Sequence, residues 1–88
     1  MKKYHLELRK RSSMGDTVVA SIIIPALDNM NALLNGQKAF EDKFKEHGYE
    51  VWDCGMLVGC DVTERDILIG NNNNETIDLG LHITKIEE

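Results

Sequence analysis

The chain has 88 residues, of which 42% are hydrophobic and 28% are charged, and its formal net charge is −5. We expect one compact domain, residues 1–88, because a chain of this length supports only a single core. Regular apolar spacing argues against intrinsic disorder, and the acidic balance argues against a protein dedicated to nucleic acid.

The first eleven residues carry a net charge of +4, whereas the remainder of the chain carries −9. From Tyr4 to Arg9 apolar and polar residues alternate, which is the period of a half-buried strand. The polar side presents Lys3, His5 and Arg9. We interpret these cations as protection of an edge strand against aggregation, in preference to a site for nucleic-acid phosphates.

A turn-forming segment, residues 12–16, leads into a β-branched segment from Thr17 to Ile24. Because this segment is apolar on both faces, it predicts a central strand, joined to the first strand in a hairpin. Ser21 and Pro25 interrupt the apolar run, which is much shorter than the roughly 20 residues of a membrane span. We therefore expect no signal peptide, no membrane partner, a cytoplasmic location and reduced thiols.

Beyond Pro25 the apolar residues recur every three or four positions, which predicts one long amphipathic helix. Asp28 is the expected N-cap, and Gly48 is expected just past the C-terminus in the left-handed conformation. Asn35-Gly36 is a weak point, since glycine costs about 1 kcal/mol inside a helix. The apolar phase continues across it, which favours one helix over two.

Three further strands are predicted, at Tyr49–Cys54, Asp66–Ile69 and Ile77–Thr84, with a polar connection at residues 70–75 before the last. The resulting order is ββαβββ. It predicts an α+β fold in which an antiparallel or mixed sheet of about five strands has one face covered by the single helix.

Cysteines and histidines give no recognisable site. Cys54 and Cys60 enclose five residues, a spacing that fits neither a redox motif nor half of a zinc site, so we interpret both as structural thiols, with a pair across a hairpin as the alternative. His5, His47 and His82 lie on three separate predicted elements. We therefore predict no metal and no cofactor.

Carboxylates are the remaining candidates for function. Glu64 and Asp66 would share one face of a strand, where paired carboxylates can hold Mg²⁺ for phosphoryl transfer, but a solvated acidic face is the favoured interpretation and no catalytic residue is predicted. The candidate partner-binding residues are Glu41, Asp42, Glu46, Glu50, Asp53, Asp61, Glu64 and Asp66.

We therefore expect a small acidic non-enzymatic protein that binds another macromolecule through this acidic face or through an exposed strand edge. The expected partner is a basic protein, because opposite charge accelerates association. Small acidic intracellular inhibitors of nucleic-acid-handling proteins, including phage-encoded ones, share this general composition. The alternatives are a homo-oligomeric domain that pairs edge strands, and a metal-dependent phosphoryl-transfer enzyme that uses Glu64 and Asp66.

Overall fold

The computed structural model describes residues 1–59 and 61–87 of the chain. Within these residues the elements are β1 (Lys2–Lys10), β2 (Thr17–Ala26), α1 (Asn29–Glu46), β3 (Glu50–Cys54), β4 (Glu64–Gly70) and β5 (Thr76–Glu87). The strands form one antiparallel sheet in the order β2-β1-β5-β4-β3, and α1 packs on one of its faces. The predicted α+β fold and the order ββαβββ are confirmed.

The core lies between the sheet and α1. Alternation along the strands directs one set of apolar side chains toward the helix, as the sequence predicts for the first and last strands. Burying each such side chain contributes about 1.5–3 kcal/mol. The sheet contributes Tyr4, Leu6, Leu8, Ile67, Ile69, Leu79, Leu81 and Ile83, and the helix contributes Ala32, Leu33, Phe40 and Phe44.

Both predicted helix ends are confirmed. Asp28 is the N-cap, and its Oδ1 accepts a hydrogen bond from the backbone amide of Asn31 at 2.8 Å. The Asn31 side chain in turn accepts from the backbone amide of Leu27 at 3.0 Å. Gly48 follows the C-cap with a φ of 81°, a conformation that glycine adopts without strain. The helix continues unbroken through Gly36.

Asp28→Ala is expected to lower the free energy of unfolding by about 1 kcal/mol, because it removes the acceptor of an otherwise unpaired helix amide. Asp42→Ala, at an exposed position within the helix, provides the control and is expected to change stability by less than about 0.5 kcal/mol. Urea denaturation of both variants measures the difference. Equal effects would contradict the capping role of Asp28.

Two predictions about strand position are wrong. The basic strand β1 is not at an edge, because it pairs with β2 on one side and with β5 on the other. The apolar strand β2 is not central but forms one edge of the sheet. Lys3, His5 and Arg9 lie on the sheet face that α1 does not cover, called the open face below. Lys3, His5, Glu7 and Arg9 all alternate onto this face.

Candidate interaction surface

The two edges of the sheet differ in how they resist pairing with another chain. At one edge, β3 is five residues long, carries Glu50 and Asp53, and is interrupted by a register shift between Val51 and Asp53. Short length, charge and irregularity are the features that protect edge strands. At the other edge, β2 is ten residues long and contains no charged residue. Strand β2 is therefore the less protected edge.

The exposed part of β2 is apolar as well as uncharged. Val18, Val19 and Ile23 are exposed by 49%, 52% and 61%, respectively. A register shift lies at the Arg9 end of the β1–β2 ladder, and Pro25, which has no amide hydrogen, lies near the other end of β2. The segment Ala20–Ile24 between them pairs regularly with β1 and leaves its outer backbone groups available for pairing with another strand.

A cleft lies between β2 and the C-terminal half of α1, and we call it the β2 cleft. Its main part has a volume of about 430 Å³ and is lined by Leu8, Val19, Ala20, Ser21, Ile22, Phe40, Lys43, Phe44 and His47. An adjoining part of about 230 Å³ shares four of these residues and adds Lys10, Tyr49, Ile69, Ile77 and Leu79. Among the described residues, the basic side chains that line the cleft are Lys10, Lys43 and His47, and no carboxylate lines it.

The structure distributes the eight predicted acidic residues over three parts of the molecule. On the helix side, Glu41, Asp42 and Glu46 project from α1, and Glu41 lines a small cavity together with Glu50 of β3. On the open face, Glu64 and Asp66 lie on β4, and Asp66 lines another cavity with Asp53. Asp61 lines a third cavity beside Asp28, at the start of α1.

Glu64 and Asp66 do share a face of β4, but each lies beside a basic side chain. The guanidinium of Arg11 crosses Gly80 and forms an ion pair with Asp66. Partial burial lowers the pKa of Arg11, but the hydrogen bond to Asp66 and the charges of nearby carboxylates raise it, and the net shift is upward. Glu64 Oε2 lies 4.0 Å from His82 Nδ1. Among the described residues there is no group of three His, Cys, Asp or Glu side chains arranged to hold a metal ion.

The open face also carries a row of charged and polar groups across β1, β5 and β4, where Glu7, His82 and Glu64 are directly opposite one another. Arg9 Nη2 donates a hydrogen bond to Glu7 Oε1 at 2.5 Å, and this hydrogen bond holds the pKa of Glu7 below its ordinary value of 4.5. Arg9 Nε and His82 Nδ1 are both buried, and neither has a hydrogen-bond partner among the residues that the structure describes. Within those residues the row is therefore only partly satisfied.

The lowered pKa of Glu7 predicts a pH-dependent contribution to stability. Its ionised form is favoured in the folded state, so the contribution is present above the unfolded pKa and is lost as pH falls through the lower folded pKa. Glu7→Gln is expected to be less stable than the parent protein near pH 7, and the difference is expected to shrink as pH decreases below 4.5. Urea midpoints between pH 7 and pH 3 measure this, and a difference that stays constant over that range would contradict it.

A polar network on the helix side of the sheet has no counterpart in the sequence predictions. Gln37 is only 8% exposed within the apolar stripe of α1. Its Oε1 accepts a hydrogen bond from Arg65 Nη1 at 2.8 Å, and Arg65 Nε donates a hydrogen bond to the backbone carbonyl of Gly55 at 2.7 Å. The polar residue in an otherwise apolar stripe was the available sequence signal, since a buried amide needs a partner.

The structure brings two of the three histidines near each other. His5 on β1 and His82 on β5 are diagonal neighbours on the open face, on either side of Glu7, whereas His47 caps the C-terminal end of α1. Cys54 is half-buried at the end of β3, and the predicted alternative in which it pairs with Cys60 lies outside the described residues.

Comparison with family models, with curated proteins and with solved structures found no match. In the part of the chain that the structure describes, no helix has the length and hydropathy required to cross a membrane.

Proposed function

We propose that this protein is an interaction module that binds a protein partner by accepting an extended segment at the edge of β2. The observation that carries the proposal is an uncharged, exposed edge strand whose regular segment, Ala20–Ile24, adjoins an apolar cleft. Strand addition gains affinity from main-chain hydrogen bonds, and specificity from pockets that receive alternate side chains. Both requirements are met at β2 by backbone groups and by the β2 cleft.

The other predicted mode, in which an acidic face binds a basic protein and inhibits it, has less support. Electrostatic complementarity requires the charges of one surface to act together on one partner surface. The eight carboxylates are divided among the helix side, the open face and the start of α1. They stay candidates for contacts at the margins of a partner.

Ile23→Lys tests the proposed binding mode, because a lysine on an edge strand opposes the addition of another strand. Leu27→Lys is the matched control, since Leu27 is 65% exposed, close to the 61% of Ile23, but lies beyond the end of β2. Affinity capture from a lysate, quantified by mass spectrometry, should recover a protein with the parent chain and with Leu27→Lys. Ile23→Lys should reduce that recovery about tenfold or more. Undiminished recovery with Ile23→Lys would exclude β2 as the binding edge.

Homodimerisation is a second candidate function, favoured by the absence of charge on β2. Two copies related by a two-fold axis can pair their β2 strands antiparallel without placing like charges on the paired strands. Light scattering over a concentration series tests it. A dimer that Ile23→Lys converts to a monomer supports this candidate, and a monomer at all concentrations excludes it.

Phosphoryl transfer by Glu64 and Asp66 has the least support, because the carboxylate of Asp66 is engaged by Arg11. Nucleotide turnover that requires Mg²⁺ and is lost in Glu64→Gln would favour this alternative over the binding module.

A further inference from the structure

The chemistry of a partner at β2 follows from what surrounds the strand, and this inference rests on the proposed function. Strand addition at Ala20–Ile24 places alternate side chains of the added segment on the helix side of the sheet. There the β2 cleft presents Leu8, Phe40 and Phe44. Branched aliphatic side chains fit such a floor, because they bury apolar area and favour the extended backbone.

Cations flank β2 on both faces of the sheet. On the helix side, Lys10 and Lys43 line the β2 cleft. The Nζ of Lys43 lies 3.9 Å from Glu46, and at such an exposed site this distance gives a weak ion pair. On the open face, Lys3 is directly opposite Pro25 in the adjacent strand, and Arg9 is opposite Val18.

The carboxylate on the adjacent strand cancels only one of these cations. Glu7 is opposite Ser21 and forms an ion pair with Arg9, so these two charges offset each other and the lysines supply the positive charge. The flanks of β2 are therefore cationic, although the whole chain is negative and Asp16 and Asp28 lie beyond the two ends of the strand. Charges within about 8 Å act on a bound segment at physiological ionic strength. A neighbouring strand lies well inside this range.

We infer that the β2 cleft binds an extended, acidic segment of a protein partner, in which aliphatic residues alternate with Asp or Glu. The segment pairs its backbone with Ala20–Ile24 and places its aliphatic side chains over Phe40 and Phe44. Its carboxylates lie within the field of the lysines beside β2. A second copy of this chain is the poorer occupant, because its β2 strand contains no carboxylate that could interact with the lysines beside this edge.

Fluorescently labelled synthetic peptides test this inference with the 88-residue protein. The first peptide has four Val-Glu repeats, the second has four Val-Lys repeats, and the third has the first sequence with N-methylated backbone amides. Anisotropy titrations measure binding, and amide chemical-shift changes locate it. The first peptide is expected to bind and to shift the amides of Ala20–Ile24, whereas the Val-Lys and N-methylated peptides are expected to bind at least about tenfold more weakly.

Variants of two lysines on α1 make the charge argument specific. Lys43→Glu is expected to weaken binding of the Val-Glu peptide about tenfold, because Lys43 lines the β2 cleft. Lys45→Glu makes the same charge change on the same helix, but Lys45 lines a different cavity, beside Glu50, and a change of less than about twofold is expected.

The outcomes separate this inference from the proposed function. Equal binding of the Val-Glu and Val-Lys peptides, or equal effects of Lys43→Glu and Lys45→Glu, would overturn the acidic specificity. Absence of binding by the Val-Glu peptide at millimolar concentration would overturn it too. If Ile23→Lys still abolished capture of a partner in that case, strand addition at β2 would stand and the partner would have a different chemistry.

Discussion

Leu6→Ala is expected to reduce the free energy of unfolding by about 2–5 kcal/mol, the range for removing a buried leucine side chain without collapse of the cavity. Leu6 is fully buried on β1, which is bonded to strands on both sides. The backbone around the cavity is therefore held by two ladders and cannot move in to fill it. Urea denaturation of the variant and the parent protein near pH 7 measures the loss.

The same leucine determines the effect of substituting Gly36. A Cβ at Gly36 would overlap Leu6 Cδ2 and would lie 3.8 Å from Leu81 Cδ2. A displaced Leu6 side chain would therefore have little free space. Gly36→Ala is expected to destabilise the parent protein by about 1–3 kcal/mol through overpacking, although alanine normally favours a helix. In the Leu6→Ala background the sign is expected to reverse, because the new methyl group enters the cavity.

Asn35→Ala provides the control for helix propensity, since Asn35 is exposed and adjacent to Gly36. It is expected to be stabilising by a few tenths of a kcal/mol in both backgrounds, about as propensity alone predicts. If Gly36→Ala were stabilising in the parent protein, the close contact between α1 and β1 would not govern this position.

Gly36 shows that local sequence signals can identify a helix correctly without explaining why a particular residue occurs in it. Periodicity of three to four residues identifies the helix and survives the glycine, so a single helix is predictable. The reason for the glycine is not local, because it depends on the side chain of Leu6 in another strand. Sequence alone assigns a cost to this residue, and the structure shows the close approach that the residue permits.

The positions of β1 and β2 in the sheet show a second limit. Alternation correctly predicts which side chains of β1 face the helix. It does not reveal that β1 pairs with β5, from the opposite end of the chain. A strand that is apolar on both faces, such as β2, is usually buried on both faces. Here part of its second apolar set, including Ile23, is exposed at an edge. The apolar composition of β2 thus predicts a central strand, whereas the structure places β2 at an exposed edge.

The predicted acidic face illustrates the same limit for a site. Negative charge in the sequence identifies carboxylates, but their grouping depends on the strand order and on the side of α1 that each occupies. Asp53 and Asp66 come to line one cavity because β3 and β4 are neighbours, whereas Asp61 lies beside Asp28. The sequence does not predict that Lys10 and Lys43 both line the β2 cleft, because the packing of α1 on the sheet brings them there.

Arg65→Ala is expected to destabilise the protein by about 1.5–3 kcal/mol, the usual value for hydrogen bonds that involve a charged group. Arg65 lies on β4 and connects this strand to two other parts of the structure. Its guanidinium donates hydrogen bonds to Gln37 of α1 and to the carbonyl of Gly55, which follows β3. Its loss leaves the nearly buried Oε1 of Gln37 without this donor. Lys38→Ala, at an exposed position beside Gln37, is the control and is expected to change stability by less than about 0.5 kcal/mol.

A double-mutant cycle separates the cost of an unpaired amide from the cost of lost packing. Leucine at position 37 retains the size of the side chain and needs no hydrogen bond, so Gln37→Leu combined with Arg65→Ala is expected to be more stable than Arg65→Ala alone. Denaturant unfolding should give a coupling energy of about 1 kcal/mol between the two positions. Additive effects would mean that Arg65 contributes through its contact with Gly55 and its packing. Gln37 would then contribute mainly through the hydrogen bond that its Nε2 donates to Glu41 Oε1 at 3.0 Å.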